Sequence, residues 1–279
     1  IIGEDSLAVR AAEKATHPEQ VNIRDEYGNS TWPEKNSEED IDYMISIISY
    51  ESSQKELFNN PISAGKTFPD VKFGKCPPLK KLPFIVGYAD PATSNNDKPT
   101  IKSKLLNSCK AVALIGYSNF HFYIYKVYVN NASNSHFIDW IYNAKDYVQL
   151  QALIKFYIEN NTLQDPFYQQ VLKPLLRQRA KDLRKPLISL MPDERKKPEK
   201  WTRIEGNLEP LNRNGQLIFN IDEKEDPHMK RMVAQFKGAK PTSRLLDGPD
   251  CIEGGIHILK QHISLMLSGK QVEAVEIEV

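Results

Sequence analysis

Residues 111–129 read Ala-Val-Ala-Leu-Ile-Gly-Tyr-Ser-Asn-Phe-His-Phe-Tyr-Ile-Tyr-Lys-Val-Tyr-Val. Two runs rich in β-branched and aromatic residues flank Ser118-Asn119, a pair that suits a tight turn, so the stretch predicts a hairpin of strands over 111–117 and 120–129. In the second strand Phe122, Ile124, Lys126 and Tyr128 alternate with Tyr123, Tyr125, Val127 and Val129. Both sets are mostly apolar or aromatic, which places the strand inside a sheet and not at its edge. Working outward, Phe84-Ile-Val-Gly-Tyr-Ala-Asp90 predicts a strand before the hairpin. After it the pattern gives a helix at 134–146, a strand at 152–158, a long helix at 166–183 and a strand at 187–190. A helix at 198–211, a short strand at 216–220 and helices at 227–237 and 250–267 complete the series. A hairpin meander followed by alternating helices and strands implies an α/β fold, with a mixed sheet flanked by helices on both faces.

Toward the N-terminus the pattern weakens. Residues 1–36 are polar, with one helix predicted at 5–15 and the turn-rich Asp25-Glu-Tyr-Gly-Asn-Ser-Thr-Trp32-Pro33, and they read as a linker. Ser37-Glu-Glu-Asp supplies a capping hydroxyl and acids that favour a helix start, with Ile41, Met44, Ile45 and Ile48 following at helical spacing. Pro61, Pro69, Pro77, Pro78 and Pro83 then exclude a regular helix. The expected organisation is therefore a linker over 1–36, a helix and extended lead-in over 37–83, a main domain over 84–270 and a tail over 271–279. A chain of 279 residues can build one large core with such an appendage. Its 40% hydrophobic and 26% charged residues are those of an ordinary globular protein, and no apolar run approaches the about 20 residues that span a bilayer. No membrane association is expected. The N-terminus carries no secretory signal and no initiator Met, so the chain reads as a fragment or a processed form. Cys76, Cys109 and Cys251 are widely spaced, with no zinc-ligand or disulfide pattern, which fits a reduced cytoplasmic compartment.

The net charge of +1 hides a strong asymmetry. Residues 1–60 hold 13 acids against 5 Lys and Arg, whereas residues 173–203 hold 11 Lys and Arg against 4 acids. Phosphate backbones are bound through local positive charge and counter-ion release. Arg177, Lys181, Lys196, Lys197, Lys200 and Arg203, with Lys173, Arg179, Arg184, Lys185 and Arg195, are thus a candidate DNA-facing stripe. No zinc module, helix-turn-helix pattern or aromatic platform is present to read bases, so contacts should be mainly to phosphates.

Acidic residues fall where predicted strands end or a helix begins. Asp90 closes the strand at 84–90, Glu159 closes Ala152-Leu-Ile-Lys-Phe-Tyr-Ile-Glu159, and Asp247-Gly-Pro-Asp250 opens the last helix. Carboxylates at one edge of an α/β sheet mark the expected ligand site. Converging carboxylates repel one another unless a cation such as Mg²⁺ or Mn²⁺ neutralises them, and that arrangement serves metal-assisted phosphodiester hydrolysis. Asp90 before Pro91 also suits a turn, and Asp247 and Asp250 also suit helix caps. Gly65-Lys66-Thr67 mimics the end of a phosphate loop, but Asn60 stands where the first Gly is required and no strand precedes it.

These residues carry a resemblance. Trp32-Pro-Glu-Lys-Asn-Ser-Glu-Glu-Asp-Ile41, Leu57-Phe-Asn-Asn-Pro61 and Gly65-Lys-Thr-Phe68 resemble the lead-in to the C-terminal nuclease domain of tailed-phage terminase large subunits, the DNA-packaging proteins. Ile85-Val-Gly-Tyr-Ala-Asp90-Pro-Ala-Thr-Ser94 resembles the family's first catalytic strand. Tyr157-Ile-Glu159-Asn-Asn-Thr-Leu-Gln164 resembles its second acidic motif, and Leu246-Asp247-Gly-Pro-Asp250-Cys251-Ile252 its third. The resemblance spans residues 30–268, with Cys251 where Ala is common.

It implies a ribonuclease H-like fold and two-metal cleavage of double-stranded DNA concatemers, with Asp90 and Glu159 as the first two metal-binding acids. The third is Asp247 or Asp250. It further implies an ATP-binding domain before residue 1, hence no ATPase activity in this stretch. The small terminase subunit and the portal ring are its implied partners, and the host cell cytoplasm its location. On charge grounds two Mg²⁺ or Mn²⁺ ions would activate a water and stabilise the leaving oxygen, with Asp90 bridging them. Lys200 and Arg203, one helical turn apart, are candidates to hold the scissile phosphate. His257 is a candidate proton carrier, though a structural helix histidine is the simpler reading. Two other classes fit the acids: a ribonuclease H-like nuclease of transposase or resolvase type, and a docking module that binds DNA or the portal without cutting.

Overall fold

The computed structural model describes residues 15–16, 21–25, 27–47, 56–59, 67–91, 109–159, 167–193, 195–243 and 245–267. Helix α1 (Glu38–Ile47) opens with Ser37, whose hydroxyl accepts the Asp40 backbone N–H at 3.2 Å, and with acids in its first turn. The helix expected at 5–15 lies almost wholly outside the described residues, as do Gly65 and Lys66 of the phosphate-loop mimic.

The hairpin forms as β3 (Lys110–Ser118) and β4 (His121–Asn130). Its turn residues are Asn119 and Phe120, one position beyond the expected pair, and both take the left-handed conformation at φ 48° and 62°. A two-residue hairpin turn demands that geometry to match the strand twist, and Asn tolerates it better than Phe does. The strict alternation expected in β4 is broken by a bulge. Leu114 faces Lys126 but Ile115 faces Ile124, so Tyr125 is the extra residue. In consequence Phe122, Ile124, Val127 and Val129 all point to one face, and Tyr125 points to the other.

The sheet has seven strands in the order β1-β7-β4-β3-β2-β5-β6. Strand β2 (Ile85–Asp90) lies antiparallel to β3 and parallel to β5 (Ile154–Glu159), which is parallel to β6 (Leu190–Asp193). On the far side β7 (Leu217–Asn220) runs parallel to β4, and β1 (Lys72–Gly74) runs parallel to β7. This is the expected α/β mixed sheet, and an antiparallel meander continued by parallel strands on the first strand's free side is the ribonuclease H-like arrangement. Two elements depart from expectation. Strand β1 arises within the proline-rich stretch, where a three-residue edge strand needs few ladder bonds. Strand β6 runs past 190 through Pro192, because an edge strand can leave the missing N–H facing outward.

Helices cover both faces. Helices α4 (Lys200–Arg213), α5 (Pro227–Lys237) and α6 (Asp247–Leu267) pack on one, burying Val86, Tyr88, Ala113, Ile115, Phe219, Ile252 and Ile256. Helices α2 (Asn134–Val148) and α3 (Lys173–Leu183), the latter entered through a π-helical turn at Tyr168–Leu172, pack on the other over Ile85, Ala89, Leu114, Phe156 and Ile158. Each Val, Leu, Ile or Phe among them contributes about 1.5–3 kcal/mol by leaving water. Among the described residues no helix is long and apolar enough to cross a membrane.

Helix α6 begins at Asp247, three residues before its expected start, because Pro249 fits the first turn where no amide bond is lost. Its approach to the sheet depends on Gly254. A Cβ there would lie 2.3 Å from Cζ of Tyr88, so a larger residue would lift the helix from β2.

Candidate metal centre

Three parallel strands end on carboxylates. The register pairs Ala89 with Ile158 and Glu159 with Asp193, so Asp90, Glu159 and Asp193 stand in a row at the carboxyl edge of β2, β5 and β6. Helix α6 crosses above that edge and brings Asp247 and Asp250 on its first turn. Asp90, Glu159 and Asp250 converge, each offering a carboxylate oxygen within 4.8 Å of the others. Asp90 and Asp250 are buried and Glu159 is partly so.

Asp247 is held by other partners. Its Oδ2 accepts the Cys109 backbone N–H at 2.6 Å and its Oδ1 accepts Lys200 Nζ at 2.8 Å. It ties the start of β3 to α4 behind the cluster. Of the two acids that the sequence leaves open, Asp250 is the one that joins Asp90 and Glu159.

The electrostatics favour a cation. Burial, then the charge of Glu159, pushes the Asp90 carboxyl well above the usual range, with Lys200 opposing. Burial works against the charge on Lys200, but Asp247, Asp250 and Asp90 outweigh it and raise the amine above its ordinary value. Across the ion-paired cluster, the carboxylates of Asp90, Glu159, Asp193, Asp247, Asp250 and Glu253 outnumber the cations Arg195, Lys197, Lys200 and Arg203. The donor set is all oxygen, the kind that hard divalent cations such as Mg²⁺ and Mn²⁺ prefer. The residues therefore fit the implied metal.

The expected basic stripe is split by the fold. Arg177 and Lys181 are exposed on α3, across the sheet from α4 and α6. Arg179 and Lys185 pair with Asp139 and Asp146 of α2. Four cations turn inward. Lys197 Nζ sits 2.5 Å from Glu159 Oε1, Lys200 lies between Asp247 and Asp250, and buried Arg203 pairs with Asp250 and with Glu253. Arg195 spans Asp193 and Glu253. Lys196 stays exposed beside them. His257 lies one turn beyond Glu253, with its Nε2 at 3.1 Å from Gln261 Nε2, and feels the charges of Arg195, Glu253 and Asp193 on that side of the cluster.

Sequence reasoning missed Asp193, Glu253 and Tyr88. Glu253 accepts both guanidinium nitrogens of Arg195 at 3.1 and 2.7 Å, Arg203 at 2.7 Å and the Asn207 amide at 3.0 Å. Its signal was a position three residues after Asp250 on the same helix face. Tyr88 donates its hydroxyl to Asp193 at 2.6 Å. Asp193 closes a strand just as Asp90 and Glu159 do, a sign hidden by ending β6 before Pro192.

No family model and no curated protein matches this chain. Among solved structures it is similar to the human cytomegalovirus terminase nuclease domain, with 16% identity over 78% of this chain and 92% of that one and a TM-score of 0.44. The P22 large terminase nuclease domain is 11% identical over 68% of this chain and 86% of that one, with a TM-score of 0.43. The large terminase of a thermophilic bacteriophage is 12% identical over 80% of this chain, which spans about half (52%) of that protein, with a TM-score of 0.44. Likenesses at these scores carry no argument about activity, which rests on the residues of the site.

Proposed function

We propose that this chain is the nuclease domain of a terminase large subunit and that it cleaves double-stranded DNA concatemers during genome packaging. The observation that supports it best is the convergence of Asp90, Glu159 and Asp250 within 4.8 Å, three acids drawn from three motifs that stand in the family's order. Two divalent cations bound there would lower the pKa of a water and neutralise charge on the departing oxygen. Asp90 on β2, Glu159 on the neighbouring β5 and Asp250 on α6 are the residues that would hold the cations. Asp247 holds Lys200 against Asp250, and Arg203 fixes the opposite side of Asp250, so the third ligand is oriented by its neighbours before any ion arrives.

In this reading DNA meets the protein at the carboxyl edge of β2, β5 and β6, and Lys196 is exposed in the segment that follows β6. The implied partners are the small terminase subunit, the portal ring and an ATPase domain of the same polypeptide, acting in the host cytoplasm. The test is cleavage of supercoiled plasmid with Mn²⁺, Mg²⁺ or chelator by the wild type and Asp90→Asn. Metal-dependent nicking and linearisation that vanish in the variant are expected. No cleavage together with no effect of Mn²⁺ on the melting temperature would overturn the reading in favour of a docking module.

A further inference from the structure

We propose that Lys197 is the resident counter-ion of Glu159 and has to leave that carboxylate when a divalent cation binds. The inference rests on the reading of Asp90, Glu159 and Asp250 as the ligand set. Lys197 Nζ donates to Glu159 Oε1 at 2.5 Å and to the Tyr88 hydroxyl at 3.0 Å, and lies 3.8 Å from Asp193 Oδ2. Its ammonium also sits 5.5 Å from the centre of the Tyr88 ring. The Lys197 and Glu159 side chains are only 12% and 11% exposed, so this positive charge is held in the site and not on its rim. An ammonium and a divalent cation on one carboxylate repel each other strongly where water screens them little.

The two lysines of the site differ in this respect. Lys200 can stay when Asp250 turns to a cation, because Asp247 holds it at 2.8 Å and is itself fixed by the Cys109 amide. Lys200 is also anchored in the first turn of α4, which Glu199 caps through the Trp201 and Thr202 amides. Among the described residues the second carboxylate near Lys197, Asp193, is farther away at 3.8 Å. Asp193 Oδ2 already accepts Tyr88 and Arg195 at 2.6 and 3.2 Å. Lys197 stands in the irregular segment between β6 and α4, so its side chain can swing out without breaking a helix.

The test is calorimetric titration of the full chain with Mn²⁺ for the wild type, Lys197→Met and Asp90→Asn. Methionine keeps the aliphatic stem over Tyr88 and removes the charge. Lys197→Met is expected to bind Mn²⁺ about tenfold more tightly, a modest share of the repulsion between close charges. Equal or weaker binding by Lys197→Met would overturn the proposal and make Lys197 a support for Glu159. Should Asp90→Asn bind Mn²⁺ as the wild type does, the ligand set itself is wrong, and the proposal fails with it for that separate reason. Amine acetylation of the wild-type chain gives a second reading that needs no variant. Mn²⁺ should raise modification of Lys197 several-fold while that of Lys200 stays unchanged, and unchanged Lys197 reactivity would sink the idea.

Discussion

Two acidic groups sit side by side where α6 meets the carboxyl ends of β2, β5 and β6, and they are neutralised differently. Asp193 and Glu253 are bound by guanidinium groups, with Glu253 gripped by both Arg195 and Arg203. Glu159 and Asp247 are bound by ammonium groups, and Asp90 joins them with its carboxyl pushed far up by burial and by Glu159. Arginine forms forked, geometrically fixed pairs, whereas lysine is a compact charge on a flexible stem. The first group is thus built as a permanent frame. In the second, Lys197 on Glu159 is the cation proposed to exchange while Asp247 retains Lys200, and Asp250 touches both Arg203 and Lys200.

The largest effect expected from this contrast is on cleavage. Asp90→Asn or Glu159→Gln should reduce DNA cleavage to background and leave the protein folded with a metal-free melting temperature close to that of the wild type, since Asn replaces a carboxyl whose charge is already disfavoured and Gln keeps an oxygen that accepts from Lys197. A plasmid assay and a thermal scan on the same preparations check both halves. Loss of folding in these variants would break the comparison, because it would make the exchangeable group part of the frame.

The frame should fail in the opposite way. Glu253→Ala leaves Arg195 and Arg203 without their shared partner and is expected to cost about 3–5 kcal/mol in a urea titration, the penalty for stripping one side of a buried pair. Lys197→Met should change stability by less than about 1 kcal/mol. Comparable costs for the two would show that the ammonium pairs are as structural as the guanidinium pairs. Gly254→Ala falls between them. Its methyl would press on the Tyr88 ring, which is buried and tied to Asp193, so about 1–3 kcal/mol of overpacking cost is expected, together with weaker Mn²⁺ binding as Asp250 moves from Asp90.

Much of this contrast was legible in the sequence and part of it was not. Asp90 and Glu159 could be read because each closes an apolar run, and strand ends are visible in one dimension. Asp193 closes a strand too, but Pro192 beside it made the run seem to stop early, and whether a strand lies at the edge is a property of the assembled sheet. The strands of the hairpin were visible from composition, whereas the bulge at Tyr125 was not, because Tyr suits either face. The division between the two acidic groups was hidden for a further reason. Lys197, Lys200 and Arg203 appear in the chain as one basic run with Lys196, and nothing local says which of them turn inward. That depends on acids 38 to 50 residues away in sequence, Glu159, Asp247, Asp250 and Glu253.

The smallest expected effect concerns the cations left outside. Lys196 is exposed on the edge that carries the acids, whereas Arg177 and Lys181 are exposed on α3 across the sheet. If DNA approaches the carboxyl edge, one duplex cannot use both sets equally. Lys196→Glu should therefore weaken duplex binding and reduce the slope of log affinity against log salt by about 1, as losing one phosphate contact does. Arg177→Glu should leave that slope unchanged. The pair is measured by anisotropy titrations of a labelled duplex in Ca²⁺ over a range of salt. Equal losses for both variants would restore a continuous basic surface wrapping the edge of β6. A loss for Arg177→Glu alone would move the DNA to the α2–α3 face, away from Asp90, and would separate binding from the carboxylates altogether.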